Sequence, residues 1–303
     1  MTFLDTVKKK FDLALVKDID LDDMSIDFTL PDSWISTVAS DRMTARLTSI
    51  PGFNWPIQQV RLKIIVQDNS VDIGHLESPF SPASVKGGIV TSSLSKCTMH
   101  IFPQSHAAFI DFVGALATKA AHTFAIKGSA DIIFDLGGLG VHTLHGVDFI
   151  TDLTLRGLAN LPDITCKSAI IVPNAEEPGK PASAYAVTIQ CELDIPNPSQ
   201  LSLTLGNCIL ATTVEGNHHV GLTTLEGFSL KVGMNTSKTG TVVLDTTIDA
   251  AKSLVKALEV QDQRVYLKGF RGTSKNEALS AGLVPLKVSF VIPRIVGVTS
   301  NCP

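Results

Sequence analysis

Apolar and polar residues alternate with a period of two along most of the chain. In "AYAVTIQCELDI" the odd positions Tyr185, Val187, Ile189, Cys191, Leu193 and Ile195 are mostly apolar, whereas the even positions include Thr188, Gln190, Glu192 and Asp194. Successive side chains of a strand point to opposite faces, so each run offers one face to a core and one to water. An antiparallel sheet with one wet side requires this pattern. It recurs in "SIDFTL" (25–30), "QVRLKIIVQD" (59–68), "CTMHIF" (97–102), "GFSLKVGM" (227–234) and "LKVSFVI" (286–292), with further strands expected at 122–128, 145–158 and 263–269. Many short strands separated by Gly, Asn and Pro predict a sandwich or barrel. No helical pattern falls between successive strands, as a βαβ chain would need.

Helical spacing is confined to three stretches. "TFLDTVKKKFDLAL" places Leu4, Val7, Phe11 and Leu15 on one face, and "HAAFIDFVGALATKAA" (106–121) and "TIDAAKSLVKALEV" (247–260) are the other two. The last pair share a setting. Each is preceded by an apolar-Gly step, Ile73-Gly74 or Val220-Gly221, and followed by a strand ending in Lys127-Gly128 or Lys268-Gly269. Each then leads into another apolar strand. The recurring order predicts two divergent copies of one module. The expected organisation is an amphipathic helix at 1–16, one module at 17–159 and a second at 160–303. The fold class is therefore mainly β, a tandem of antiparallel β-sandwiches with a few short helices. "VPNAEEPGKPAS" (172–183) reads as a long loop inside the second copy.

In "LDIPNPSQLSLTLGNCILAT" (193–212) a proline element separates two alternating runs. Proline removes a ladder donor, so Pro196 and Pro198 do not suit the middle of a central strand. Asn197 and Ser199 can hold a turn through local hydrogen bonds. Apolar residues stay odd-numbered on both sides, so Leu193 and Leu203 are expected to line the same core across a pinned bend.

These residues also carry a resemblance. "IPNPSQLSLTLGNCIL", "HHVGLTTLEGFSLKVGMN", "FIDFVGALATKAAHTFAIKGSADI" and "LHGVDFITDLTLRGLANLPDITCKSAIIV" together resemble a fungal family of vacuolar or membrane-anchored proteins without assigned activity. That family is similar to the late-embryogenesis-abundant type 14 (water-stress) domains, with an immunoglobulin-like or fibronectin-like sandwich often found in tandem. The resemblance covers roughly residues 17 to 245. It implies the fold and an endomembrane, vacuolar or lumenal setting, and it supplies no catalytic residue.

Composition narrows the function classes. Hydrophobic residues make up 44% of the 303 residues and charged residues 18%, which excludes a disordered chain. A net charge of −4 leaves no electrostatic footprint for nucleic acid. No stretch has the roughly 18 uninterrupted apolar residues of a spanning helix, and "MTFLDTVKKKFDLALVKD" lacks the apolar core and cleavage site of a secretory signal. The chain as given is expected to be soluble. Asn235-Thr236-Ser237 forms a glycosylation sequon that hints at a secretory compartment.

Candidate chemistry is sparse. The five cysteines, Cys97, Cys166, Cys191, Cys208 and Cys302, include no CxxC pair. They read as free structural thiols, with a Cys191–Cys208 bridge as the alternative. His218-His219, and His142 with His145, lack Cys or carboxylate neighbours at ligand spacing and read as solvated turn histidines. "DLGGLGVHTLHG" (135–146) lacks the P-loop lysine and reads as a tight hairpin. The aspartates of "DIDLDDMSID" (18–27) lack calcium-loop geometry. No GxSxG, HExxH or paired-carboxylate motif occurs. No catalytic, metal or cofactor residue is therefore assigned. The expected function is a non-catalytic structural or interaction module that contacts a protein or a lipid surface. The alternative is a carrier of lipid or another hydrophobic ligand, with a helix covering an open sandwich end above an apolar cavity.

Overall fold

The alternating runs become fifteen strands among the residues that the computed structural model describes, which are 16–47, 57–135, 137–172 and 186–296. They divide into two compact units. The first comprises Met1–Phe112, Ala121–Arg156 and Gln200–Ser202; the second comprises Val113–Ala120, Gly157–Ser199 and Leu203–Pro303.

The first unit contains β1 (Val16–Asp27), β2 (Ile35–Leu47), β3 (Ile57–Asp68), β4 (Val71–Glu77), β5 (Ser81–Lys86), β6 (Ile89–Ile101), β7 (Ala121–Asp135) and β8 (Val141–Arg156). Its strand order is β8-β7-β3-β4-β6-β2-β1, and every neighbouring pair is antiparallel. β5 is an extra hairpin strand paired with β6 and with the start of β3. Side chains from both halves of this order meet in one interior, so the sheet curls over on itself as a sandwich.

The second unit contains β9 (Thr165–Val172), β10 (Ala186–Asn197), β11 (Leu201–Thr213), β12 (His219–Leu230), β13 (Gly233–Asp245), β14 (Gln263–Lys268) and β15 (Lys287–Ile292). Its order is β15-β14-β11-β12-β13-β10-β9, again antiparallel throughout. Apart from β5, this is the order of the first unit strand for strand. A helix follows the sixth strand of the first unit and its counterpart in the second: α1 (His106–Thr118) after β6, and α2 (Asp249–Val260) after β13. α1 stops three residues short of the expected end, where Thr118 Oγ1 donates back to the Gly114 carbonyl at 2.8 Å.

The units differ past the recurring Lys-Gly step. β7 and β8 run on beyond Gly128 and Ile150 to a tight turn at Gly137–Leu139. β14 instead ends at Lys268, and the chain from 269 to 286 carries a further short helix, α3 (Glu277–Gly282). Asn276 caps it by accepting from Leu279 N–H at 2.8 Å, and Ala278 and Leu279 are buried. Six residues are too few to display helical periodicity, so α3 is invisible in the pattern.

The proline corner is where the pattern places it. Asn197 is buried; its Oδ1 accepts from Ser199 N–H (3.0 Å) and Ser199 Oγ–H (2.6 Å), and its Nδ2 donates to the Lys231 carbonyl (3.2 Å). Leu193, Ile195, Leu201, Leu203 and Leu205 are all buried, so the parity survives the break. The run 227–234 is not a single strand. A turn separates β12 from β13, because Asn235 Oδ1 accepts from Lys231 N–H (2.8 Å) and Gly233 takes a left-handed φ of 84°. The expected N-terminal helix lies outside the described residues except for Val16, which begins β1, and 173–183 likewise lies outside them. Among the described residues no helix is long and apolar enough to cross a membrane.

Candidate functional site

The interior of the first unit is not filled. A cavity of about 150 Å³ lies between the two halves of the curled sheet. Strand alternation aims its walls inward: Leu21, Met24 and Ile26 from β1, Val38 and Met43 from β2, and Leu94 and Met99 from β6 on one side. Val60, Leu62 and Ile64 from β3, Ile126, Ala130 and Ile132 from β7, and Leu153 from β8 line the other. Every lining residue except Asp148 is apolar. Buried water needs two to four polar partners, so a cavity walled in this way stays dry. An unfilled apolar void of about 150 Å³ costs roughly 3–4 kcal/mol at about 24 cal/mol per Å³. An apolar occupant would recover that cost.

The two ends of the cavity differ. At the deep end α1 lays Phe112 over the opening, edge-on to Phe124 at 5.1 Å and to His122 at 5.6 Å. His122 Nε2 in turn faces Asp68 Oδ1 at 3.1 Å, with both side chains at most 10% exposed. Ser105 Oγ donates to the Asp72 carbonyl at 2.6 Å and fixes the approach to the helix. At the other end the lining residues Ile19, Ala45, Val90 and Phe149 are partly exposed and mark the mouth, whereas Asp148 alternates with the inward Val147 and Phe149 and is exposed on the outer face of β8.

The second unit has no matching extension of β14 and β15. In their place the loop at 273 meets β11, with Ile209 N–H donating to the Thr273 carbonyl at 2.7 Å. Ala278 and Leu279 of α3 are at most 1% exposed. Most of the largest fully buried side chains belong to this unit, including Phe290, Leu258 and Leu230.

The residues weighed for chemistry are dispersed. His145 Nδ1 lies 3.3 Å from Asp131 Oδ1, whereas His142 stacks on Phe134, so the two do not converge. His218 and His219 are exposed in and beside a turn. Among the described residues no three His, Cys, Asp or Glu side chains gather as a metal site requires. Cys97, Cys166, Cys191 and Cys208 are free thiols, so the Cys191–Cys208 bridge is not formed. The neighbour of Cys191 is Cys166, one strand over on β9. A hydrogen bond from the Cys191 thiol lowers the pKa of Cys166; the same contact and burial push that of Cys191 up. Burial alone pushes Cys208 up to about 12. The sequon asparagine, Asn235, is buried and structural, its Nδ2 donating to the carbonyls of Lys231, Gly233 and Ile195. That removes the basis for reading it as a glycan acceptor.

Alternation located the inward side chains of β3 and β7 but could not show that opposing walls stand apart. The His122–Asp68 pair, 54 residues apart, carried no sequence signal.

Comparison with known proteins adds a family without a role. Residues 87–212 match a family described as "Protein of unknown function (DUF3712)". No curated protein matches the chain. Among solved structures the chain is similar to a protein of unknown function from Porphyromonas gingivalis W83, at 9% identity and a TM-score of 0.17, covering 91% of this chain and 98% of that one.

Proposed function

We propose that the first unit is a non-catalytic receptacle for a lipid or another aliphatic ligand. The observation that carries this reading is the dry cavity, walled by aliphatic side chains, capped by Phe112 at one end and open at the other. A structural module needs no such void, and close packing would remove it at a gain in stability. An endomembrane, vacuolar or lumenal setting, implied by the resemblance to the fungal family and its late-embryogenesis-abundant type 14-like domains, suits a lipid-binding role. It is checked by imaging the tagged protein in its own cells.

Native mass spectrometry of gently purified protein tests the cavity. A recurring adduct of lipid mass is expected, and added 1-hexadecanol is expected to raise the melting temperature. A ligand at about one hundred times its Kd adds about 2.7 kcal/mol. Ala45→Trp, which places an indole in the mouth, should abolish the adduct and the shift while leaving the fold intact. Adduct-free protein whose melting is unmoved by the alcohol would refute the reading.

A further inference from the structure

We infer that Cys166 and Cys191 form a redox-active dithiol, a site in the second unit at which a low-molecular-weight disulfide is reduced and the two protein sulfurs close into a bond. Its first support is strand register. Cys191 of β10 is 1% exposed, as is Leu193 two residues on, so both side chains point into the core. Leu193 stands opposite Cys166 of β9, which places the Cys166 side chain on the same face, diagonal to Cys191. The Cys191 thiol reaches across and hydrogen-bonds Cys166. The ladder slips by one residue between these positions: Glu192 pairs with Ser168 and Leu193 with Cys166, which leaves Lys167 bulged. β9 is also the last strand of its sheet order and pairs with β10 alone. A bulged strand held by one ladder can shift to bring two hydrogen-bonded sulfurs to disulfide geometry.

The second support is the difference between the two sulfurs. Cys166 is half-buried and within reach of solvent, whereas Cys191 is enclosed. The hydrogen bond from Cys191 favours the Cys166 thiolate, the Ser168 backbone adds to it, and the Glu192 charge opposes it. Glu192 is itself held by the Ser237 and Ser168 hydroxyls, at 2.6 and 3.4 Å. A thiolate is the nucleophile of thiol–disulfide exchange. Cys166, having given its proton to water, attacks one sulfur of the small disulfide; a mixed disulfide forms and one thiolate leaves, to be protonated from water. The Cys191 sulfur then attacks the Cys166 sulfur, and its proton goes to the second departing thiolate. The two protein thiols lose two electrons, and the small disulfide takes them up to become two thiols. At Cys97 and Cys208 burial alone pushes the thiol up, so both stay protonated and inert.

The test incubates the full chain, carrying Cys302→Ser to remove the thiol outside the described residues, in oxidised and reduced glutathione at graded ratios. Acid quenching, alkylation and peptide mapping follow. A linked peptide containing Cys166 and Cys191 should accumulate as the buffer becomes more oxidising, with Cys97 and Cys208 recovered as alkylated thiols. The oxidised protein should melt at a higher temperature than the reduced one, because the bond closes the chain between 166 and 191 in the unfolded state. Cys191→Ala should trap glutathione on Cys166 and slow the alkylation of Cys166 at pH 7, since the donated hydrogen bond is gone; a merely structural Cys191 would leave that rate unchanged. Cys166→Ser should leave Cys191 reduced. Both thiols recovered alkylated at the most oxidising ratio would overturn the inference, as would Cys97 and Cys208 oxidised to the same extent, or glutathione retained on Cys166 beside a reduced Cys191. The map of the parent protein decides the question even where a variant fails to fold.

Discussion

Asn197 shows how one polar side chain can stand in a core. It is 2% exposed, yet its amide satisfies Ser199 N–H, Ser199 Oγ–H and the Lys231 carbonyl. Prolines on either side deny the backbone a regular ladder, and the amide substitutes for it. Asn197→Ala would leave these groups buried with fewer partners. A loss of about 2–3 kcal/mol is expected, one to three from each orphaned group less relaxation. It would be read as a lower urea midpoint at unchanged slope. Asn235 plays the same part at the β12–β13 turn, which is why a sequon that reads as a surface signal is structural here. The residue type was legible; its burial depended on which strands came to flank it.

At the scale of elements, two units repeat one strand order, and glycine marks the tightest point in both. A Cβ on Gly128 would sit 1.8 Å from the Lys63 carbonyl oxygen of β3, and one on Gly269 would sit 1.8 Å from the Leu283 carbonyl oxygen. Gly74 and Gly221 meet the His100 and Val243 carbonyls in the same manner, at 2.5 and 2.0 Å. The recurring Ile-Gly or Val-Gly and Lys-Gly steps are thus places where backbone crosses backbone. Gly128→Ala is expected to destabilise the protein by about 3 kcal/mol or more, because a backbone carbonyl cannot move aside as a flexible side chain can. An equal midpoint for Gly128→Ala and wild type in chemical unfolding would contradict the close approach. The repetition was legible because it depends on local punctuation. The difference between the copies was not: α3 is too short for a periodic signal, and the extended β7–β8 hairpin reads from sequence simply as two more strands.

For the whole molecule, charge links folding to acidity in one direction. Asp72 is held below its ordinary value by a hydrogen bond from Lys127, Asp194 by one from Lys167 and Asp245 by the Thr247 hydroxyl. Asp131 loses by burial but gains more from Arg61, whose Nε lies 3.0 Å away, and from Gly146 N–H and His145, so it too is lowered. Each folded carboxyl therefore binds its proton less readily than in the unfolded chain. Stability from these groups is fully present above the ordinary carboxylate value of 3.8 and is lost as pH falls through the lower folded values. Unfolding free energy should hold level from pH 7 to 5 and drop below about pH 4. Asp131→Asn should flatten that drop, and an unchanged acid limb in the variant would disprove its share. What the sequence determined alone is what local chemistry can encode: alternation that sets which side of each strand is oily, prolines and asparagines that set corners, and glycines that set crossings. The tertiary structure decided how far apart the oily sides stand. The same strand order encloses a void where β7 and β8 extend and encloses buried α3 side chains where β14 and β15 stop short. That separation arises from pairings between strands distant along the chain, which no local pattern records.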